Sequence, residues 1–320
     1  MLLSTVAKMS FALEVKKEIS NLETNNDSYK AELYAITKLK ANLIISFNNL
    51  KVEFVTNNNS ITRRIIFLIK KLYEVDLELL TKEQNKLDKK KLYYIVIKNQ
   101  AREILYDLDL IDENLNFIDE ISNKYDNYKD SILRGMFLAK GSINDPNKIN
   151  YHLEIVCNYE VEANYLVKLF SDYGINASMV LRRKGIVVYI KKSEHIGDFL
   201  KIIGSTNALF YFENERIKKD LNNVVNRVLN CDIANSDRTQ MTALKQLEAI
   251  KTIEDNIGFS SLSKRLQDAI QLRRTYPESS LSELSENSEE TIGKFVSKSG
   301  ISHCLKDIEN IAKAIKDKRI

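Results

Sequence analysis

Leu133-Arg134-Gly135-Met136-Phe137-Leu138-Ala139-Lys140-Gly141-Ser142 opens the second of two similar halves in this chain of 320 residues. A matching stretch, Leu33-Tyr34-Ala35-Ile36-Thr37-Lys38-Leu39-Lys40-Ala41, opens the first, with alanines where the second half has glycines. The same succession recurs after each. Val52-Glu53-Phe54-Val55-Thr56-Asn57 is followed by an apolar-periodic run from Ile61 to Tyr73, and about a hundred residues later Leu153-Glu154-Ile155-Val156-Cys157-Asn158 is followed by one from Val161 to Tyr173. Lys89-Lys90-Lys91 then precedes Leu92-Tyr93-Tyr94-Ile95-Val96-Ile97, and Arg182-Arg183-Lys184 precedes an equivalent apolar run from Gly185 to Ile190.

Periodicity turns this repeat into an architecture. Alternating β-branched and aromatic runs predict strands, and apolar residues spaced three and four apart predict helices. Ile65, Leu68, Ile69 and Leu72 form such a helical stripe in one half, and Tyr165, Leu166, Leu169 and Phe170 form it in the other. Each half reads helix, two strands, helix, two strands, helix. Hairpins alternating with helices imply an antiparallel sheet with helices on one face, so the expected fold is α+β, duplicated about a pseudo-twofold axis. Near residue 221 the strands stop and the chain becomes helical.

The opening stretch of each half resembles the LAGLIDADG helix of homing endonucleases. Gly135 and Gly141 fall at that motif's small positions, where two helices pack backbone to backbone. In the nucleases the final acidic residue of each helix holds Mg²⁺, a hard cation that takes oxygen ligands. Lys40 and Lys140 stand at those positions. An ammonium repels a cation, so catalytic and metal-binding residues are both expected to be absent. A lysine pair there has two open roles, phosphate contact or solvated helix ends. The same two roles are open to the hairpin cations Lys90, Arg182 and Arg183.

In the last third, Leu244, Leu247, Ile250 and Ile253 give one long amphipathic helix, and Ser261 to Arg274 gives a second, stopped by Tyr276-Pro277. Ser280-Leu281-Ser282-Glu283 has the form of a capping box opening a short helix. A turn region from Asn287 to Val296 follows, and a third helix opens near Ser297 and runs through Ile301, Leu305, Ile308 and Ile311. This is a helix-turn-helix layout or, alternatively, a plain bundle whose serines are caps. On the first reading, Ser280, Ser297, Lys298, Ser299, Ser302, His303 and Lys306 are the candidate DNA-binding residues.

Totals narrow the function classes. The net charge is only +4, and residues 225–320 carry 15 basic against 14 acidic side chains, so nucleic-acid binding must rest on local charge placement. Cys157, Cys231 and Cys304 lie far apart, which argues for a reducing compartment and against a disulfide frame or a thiolate zinc site. His152, His195 and His303 have no metal-ligand spacing, and no phosphate-cradling glycine loop occurs, so no cofactor is expected. No apolar run is long enough for a membrane helix, and residues 1–8 do not read as a signal peptide.

Three segments together resemble the WhiA family, in which a degenerate LAGLIDADG domain precedes a helix-turn-helix. They are Met9-Ser10-Phe11-Ala12 leading to Val15-Lys16-Lys17-Glu18; Leu133 to Ser142 with Asp145-Pro146 and Tyr151-His152-Leu153-Glu154-Ile155; and Asn226 to Asn235 with Ser297 to His303. The resemblance implies a cytoplasmic, nucleoid-associated transcriptional regulator tied to sporulation, cell division and chromosome segregation. It implies promoter double-stranded DNA as partner, other division or transcription proteins beside it, and no membrane. Cys304 and Asp307 depart from it, standing where the family tends to be basic. The expected boundaries are an extension at 1–8, repeats at 9–120 and 121–217, a helical connector at 218–224, and a DNA-binding domain at 225–320 with its helix-turn-helix at about 280–313. A non-DNA scaffold and a residual endonuclease remain as alternatives.

Overall fold

The computed structural model describes residues 9–46, 49–83, 91–183 and 185–317. The chain divides into two compact units, one ending at Lys219 and the other beginning at Asp220.

The first unit begins with α1 (Phe11–Ile19), a helix that the repeat pattern does not predict. The first half then runs α2 (Asn26–Lys40), β1 (Ala41–Ser46), β2 (Asn49–Thr56), α3 (Asn59–Leu72), β3 (Leu77–Glu83), β4 (Lys91–Ile97) and α4 (Ala101–Asp107). After a 3₁₀ turn at Asn123–Tyr128, the second half repeats the order as α5 (Lys129–Lys140), β5 (Gly141–Ile143), β6 (Leu153–Cys157), α6 (Glu160–Asp172), β7 (Ser178–Arg182), β8 (Gly185–Ile190) and α7 (Ser193–Ile202). Both halves build a four-stranded antiparallel sheet of the same topology, β1-β2-β4-β3 and β5-β6-β8-β7. Ala41 faces Phe54 in one sheet as Gly141 faces Ile155 in the other. The repeated hexapeptides alternate as a half-buried strand must: Val52, Phe54 and Thr56 point inward, as do Leu153, Ile155 and Cys157.

Local sequence explains the helix starts. Asn25 accepts from the Ser28 amide to cap α2, and Asn58 accepts from the Ser60 and Ile61 amides to cap α3. The Glu162 carboxylate accepts from the Asn158 and Tyr159 amides at the start of α6.

At the centre, α2 and α5 pack along each other with Ala31, Ala35, Ile132 and Leu133 buried. A Cβ on Gly135 would sit 2.5 Å from the Glu32 carbonyl oxygen and 2.8 Å from the Ala35 Cβ, so the glycine sets how closely the backbones approach. Gly141 does not share this role, because it is the first residue of β5 and packs against Phe137 of the preceding helix α5. Beside the contact, Glu32 is buried and receives Arg64 through Nε and Nη2, both at 2.7 Å, with Arg134 Nη1 at 3.6 Å. A bidentate pair of this kind is sustained only because its remaining donors are also met; Arg64 Nη1 donates to the Leu22 carbonyl at 2.7 Å.

The helix α8 (Thr206–Asn256) contains residues 218–224 without interruption. The second unit continues with α9 (Lys264–Thr275), α10 (Leu281–Glu286), α11 (Ser288–Ile292) and α12 (Lys298–Asp317). Its core joins Ile250 and Ile253 of α8 to Ile270, Leu272, Leu284, Ile301, Leu305 and Ile308. Leu244 corrects the amphipathic reading: it is exposed, and Ala243 and Gln246 take the buried face in its place. Gln246 is there for a reason, since its Oε1 accepts from Nε of the buried Arg273 at 3.0 Å. Arg273 Nη1 also donates to the Tyr276 and Ser279 carbonyls. Burial pushes this guanidinium below its ordinary pKa.

Candidate nucleic-acid interface

The second unit carries the helices read from the sequence as a helix-turn-helix. α10 starts at Ser280, whose hydroxyl accepts from the Glu283 amide while the Glu283 carboxylate accepts from the Ser280 amide. The stretch expected to be a plain turn, Asn287 to Val296, contains the short helix α11, closed by Gly293 in the left-handed region. Sequence reading missed it because five residues are too few to show a period. Serine hydroxyls fix this corner. Ser288 Oγ donates to the Ser285 carbonyl and accepts from the Val296 amide, and Ser285 Oγ donates to the Val296 carbonyl at 2.7 Å.

α12 leaves this corner with its two faces sorted. Ile301, Cys304, Leu305 and Ile308 are buried. Lys298, Ser299, Ser302, His303 and Lys306 are exposed and, at one, four, five and eight residue steps, share the opposite face. Ser297 is exposed too, with its hydroxyl accepting from the Gly300 amide at 3.3 Å. Ser280 is half-buried and occupied as a cap. Cys304 departs from a basic position yet faces the core, where Arg265 Nε donates to its Sγ at 3.0 Å. Asp307 lies on the exposed side.

In the first unit the structure places Lys40 and Lys140 at the C-terminal ends of α2 and α5. Lys40 Nζ donates across the helix pair to the Ala139 carbonyl at 3.4 Å, and Lys140 Nζ donates to Asn158 Oδ1. Asn158 Nδ2 in turn donates to the Leu39 carbonyl at 3.2 Å. The Lys40 ammonium thus meets the carbonyl end of α5, and Lys140 is linked to the carbonyl end of α2 through Asn158, where the dipoles favour positive charge. Burial lowers both pKa values, and the neighbouring Lys140 lowers that of Lys40 further. Lys16 of α1 completes this basic cluster, brought down to about 7 by burial and by Lys40, with its Nζ 5.4 Å from the Phe137 ring centre. Nothing in the sequence around Lys16 signalled this, because α1 meets α5 only in the tertiary fold. Among the described residues no group of three or more His, Cys, Asp or Glu converges on a possible metal position.

The other candidates are peripheral. Arg182 Nη1 pairs with Glu154 at 3.3 Å, and Arg183 is exposed at the turn after β7. Lys90 lies outside the described residues. His152 Nε2 lies 3.1 Å from Glu154 Oε2, with its ring stacked on Tyr189, as a satisfied edge histidine would be. No helix among the described residues is long and apolar enough to cross a membrane.

Family profiles described as the WhiA N-terminal LAGLIDADG-like domain, the WhiA LAGLIDADG-like domain and the WhiA C-terminal HTH domain match residues 26–111, 129–222 and 225–312 in turn. A protein named probable cell division protein WhiA from Oceanobacillus iheyensis is 42% identical over 311 residues, covering 96% of this chain and 98% of that one. One of the same name from Brevibacillus brevis is 41% identical over 314 residues, covering 97% and 99%. The crystal structure of full-length WhiA from Thermatoga maritima matches with a TM-score of 0.58 and 26% identity over 96% of this chain and 99% of that one. With both LAGLIDADG-like halves and the helix-turn-helix matched in order along nearly its whole length, this chain belongs to the WhiA family.

Proposed function

We propose that the chain binds promoter double-stranded DNA through α12 and regulates the transcription of cell-division genes in the cytoplasm, without cutting the DNA. The observation that carries this reading is the solvent face at the start of α12. It gathers Lys298, Ser299, Ser302, His303 and Lys306 on a helix whose other side is locked into a core. Such a helix fits the major groove, with hydroxyl, imidazole and ammonium groups reaching base edges and phosphates. Lys40 and Lys140 support the non-nuclease half of the reading: amines stand at the helix ends at which a cleavage mechanism needs carboxylates.

The test is titration of the full chain onto labelled promoter fragments across a salt series, with and without Mg²⁺. Saturable, salt-sensitive binding without strand breaks is expected. Binding that is unchanged by Lys298→Glu with Lys306→Glu would remove α12 from the interface. Strand breaks that depend on Mg²⁺ would remove the non-nuclease reading.

A further inference from the structure

The segment Asn226 to Asn235 drew attention in the sequence, and neither α12 nor the lysine cluster uses it. It lies in α8, and its apolar side is bare: Leu221, Val224 and Val228 are 61%, 56% and 55% exposed, and Cys231 is exposed beside them. Their spacing is three and four in alternation. Leu221 and Val228 fall at the a positions of a heptad, Val224 and Cys231 at d, and Asn235 at the next a. Val225 widens the strip along one edge. Further along the same helix this stripe is covered by the unit's own core, at Ala249, Ile250 and Ile253. Over Leu221 to Cys231, among the described residues, it is open.

We propose that this strip is a self-association surface, on which α8 of a second copy of the chain lies parallel and in register. Charge placement argues for that occupant. Arg227 flanks the seam at g and Asp232 at e, five residues apart on opposite edges, too far round the helix to pair with each other. Neither joins an ion pair among the described residues. In a parallel two-stranded coil the g residue of one helix meets the following e residue of the other. Each Arg227 therefore meets the partner copy's e position, twice by symmetry. An asparagine at a, as Asn235 is, favours two parallel strands because only there do two amides face each other. A parallel register also brings the two Cys231 side chains together at one d layer, within the ~4.4–6.8 Å Cα separation that a disulfide bridges.

The seam spans about two heptads, so the association is weak and concentration-dependent. The test uses the reduced full chain without DNA, followed by sedimentation over a broad concentration range, then oxidised with diamide, which accepts the two protons and two electrons released as a pair of thiols joins. A monomer–dimer equilibrium is expected, with a covalent dimer on oxidation that Cys231→Ser abolishes. Cys157→Ser with Cys304→Ser leaves that dimer in place, since both residues are buried. Val224→Glu with Val228→Glu changes only exposed side chains, so circular dichroism stays unaltered while the dimer is lost. Arg227→Asp weakens association about tenfold, and adding Asp232→Arg restores it. A chain that stays monomeric at every concentration overturns the proposal. So does a dimer that survives the glutamate pair, or one that never crosslinks through Cys231, which would mean another surface or an antiparallel partner.

Discussion

Gly135→Ala tests the central contact of the first unit with a single methyl group. The added Cβ would lie 2.5 Å from the Glu32 carbonyl oxygen and 2.8 Å from the Ala35 Cβ. Ordinary contact begins near 3.5 Å, so the shortfalls are about 1 Å and about 0.7 Å. The oxygen belongs to helix backbone and cannot rotate aside. Relief must come from parting α2 and α5, and that loosens the packing of Ala31, Ile132 and Leu133 and stretches the Glu32–Arg134 contact between the two helices. Overpacking a close-packed interior costs about 1–3 kcal/mol, and a clash on backbone belongs at the upper end. Alanine returns about 1 kcal/mol through helix propensity. The net loss is about 2 kcal/mol, a fall in Tm of about 4–8 °C for a unit of this size. Thermal and urea unfolding of the full chain, followed by circular dichroism, measures it. Ala35→Gly in the Gly135→Ala background removes one of the two clashes and leaves the carbonyl contact, so a double-mutant cycle shows favourable coupling with incomplete recovery. A Gly135→Ala chain as stable as the parent would refute the argument that this glycine sets the helix separation.

Further predictions concern charge and burial. Lys298→Ala with Lys306→Ala lowers promoter affinity and reduces the slope of log affinity against log salt by about 2, read by fluorescence anisotropy; an unchanged slope places neither lysine at a phosphate. Burial beside Lys40 holds Lys16 at about 7, against 10.5 for a free lysine. Between those values the unfolded chain binds a proton that the folded chain has released, so this group makes stability rise as pH climbs above about 7 and contributes a constant penalty below it. Lys16→Met therefore raises stability at neutral pH by about 1–3 kcal/mol and flattens the alkaline rise in urea midpoints; a destabilised variant contradicts the assignment. Arg273→Met leaves Gln246 and the Tyr276 and Ser279 carbonyls without their donor. It costs about 2–4 kcal/mol, visible as early melting of the helical unit in hydrogen exchange, with amides of α9 and α10 losing protection first.

Much of this fold is written along the chain. The paired hexapeptides, the helical stripes and the Ser280–Glu283 box act over a few residues, and their periods survive in the folded unit as inward-facing alternation and capped helices. The lysines at 40 and 140 were legible as a departure from an acidic pattern, because residue type alone decides whether a side chain can hold a cation. The buried α12 residues Ile301, Leu305 and Ile308 fixed in advance which face of that helix would be free.

Other features needed the tertiary structure, because they depend on contacts between residues far apart in sequence. Nothing local marks Glu32 as buried; only the fold brings Arg64, thirty-two residues on, to neutralise it in the interior. Gly135 and Gly141 look alike in the opening stretch, yet only Gly135 meets the other helix; Gly141 begins a strand. Ser280 and Ser297 read as possible DNA contacts or caps, and the fold gives both hydroxyls to backbone amides. Leu244 follows the apolar period of α8 but faces solvent, because the buried Arg273 draws Gln246 inward to satisfy its donor. The periodic elements, and the residue types that stand at the ends of α2 and α5, follow from local sequence alone. The tertiary structure decided which charges are buried together and which apolar faces stay open, since desolvation and close approach are properties of the assembled interior.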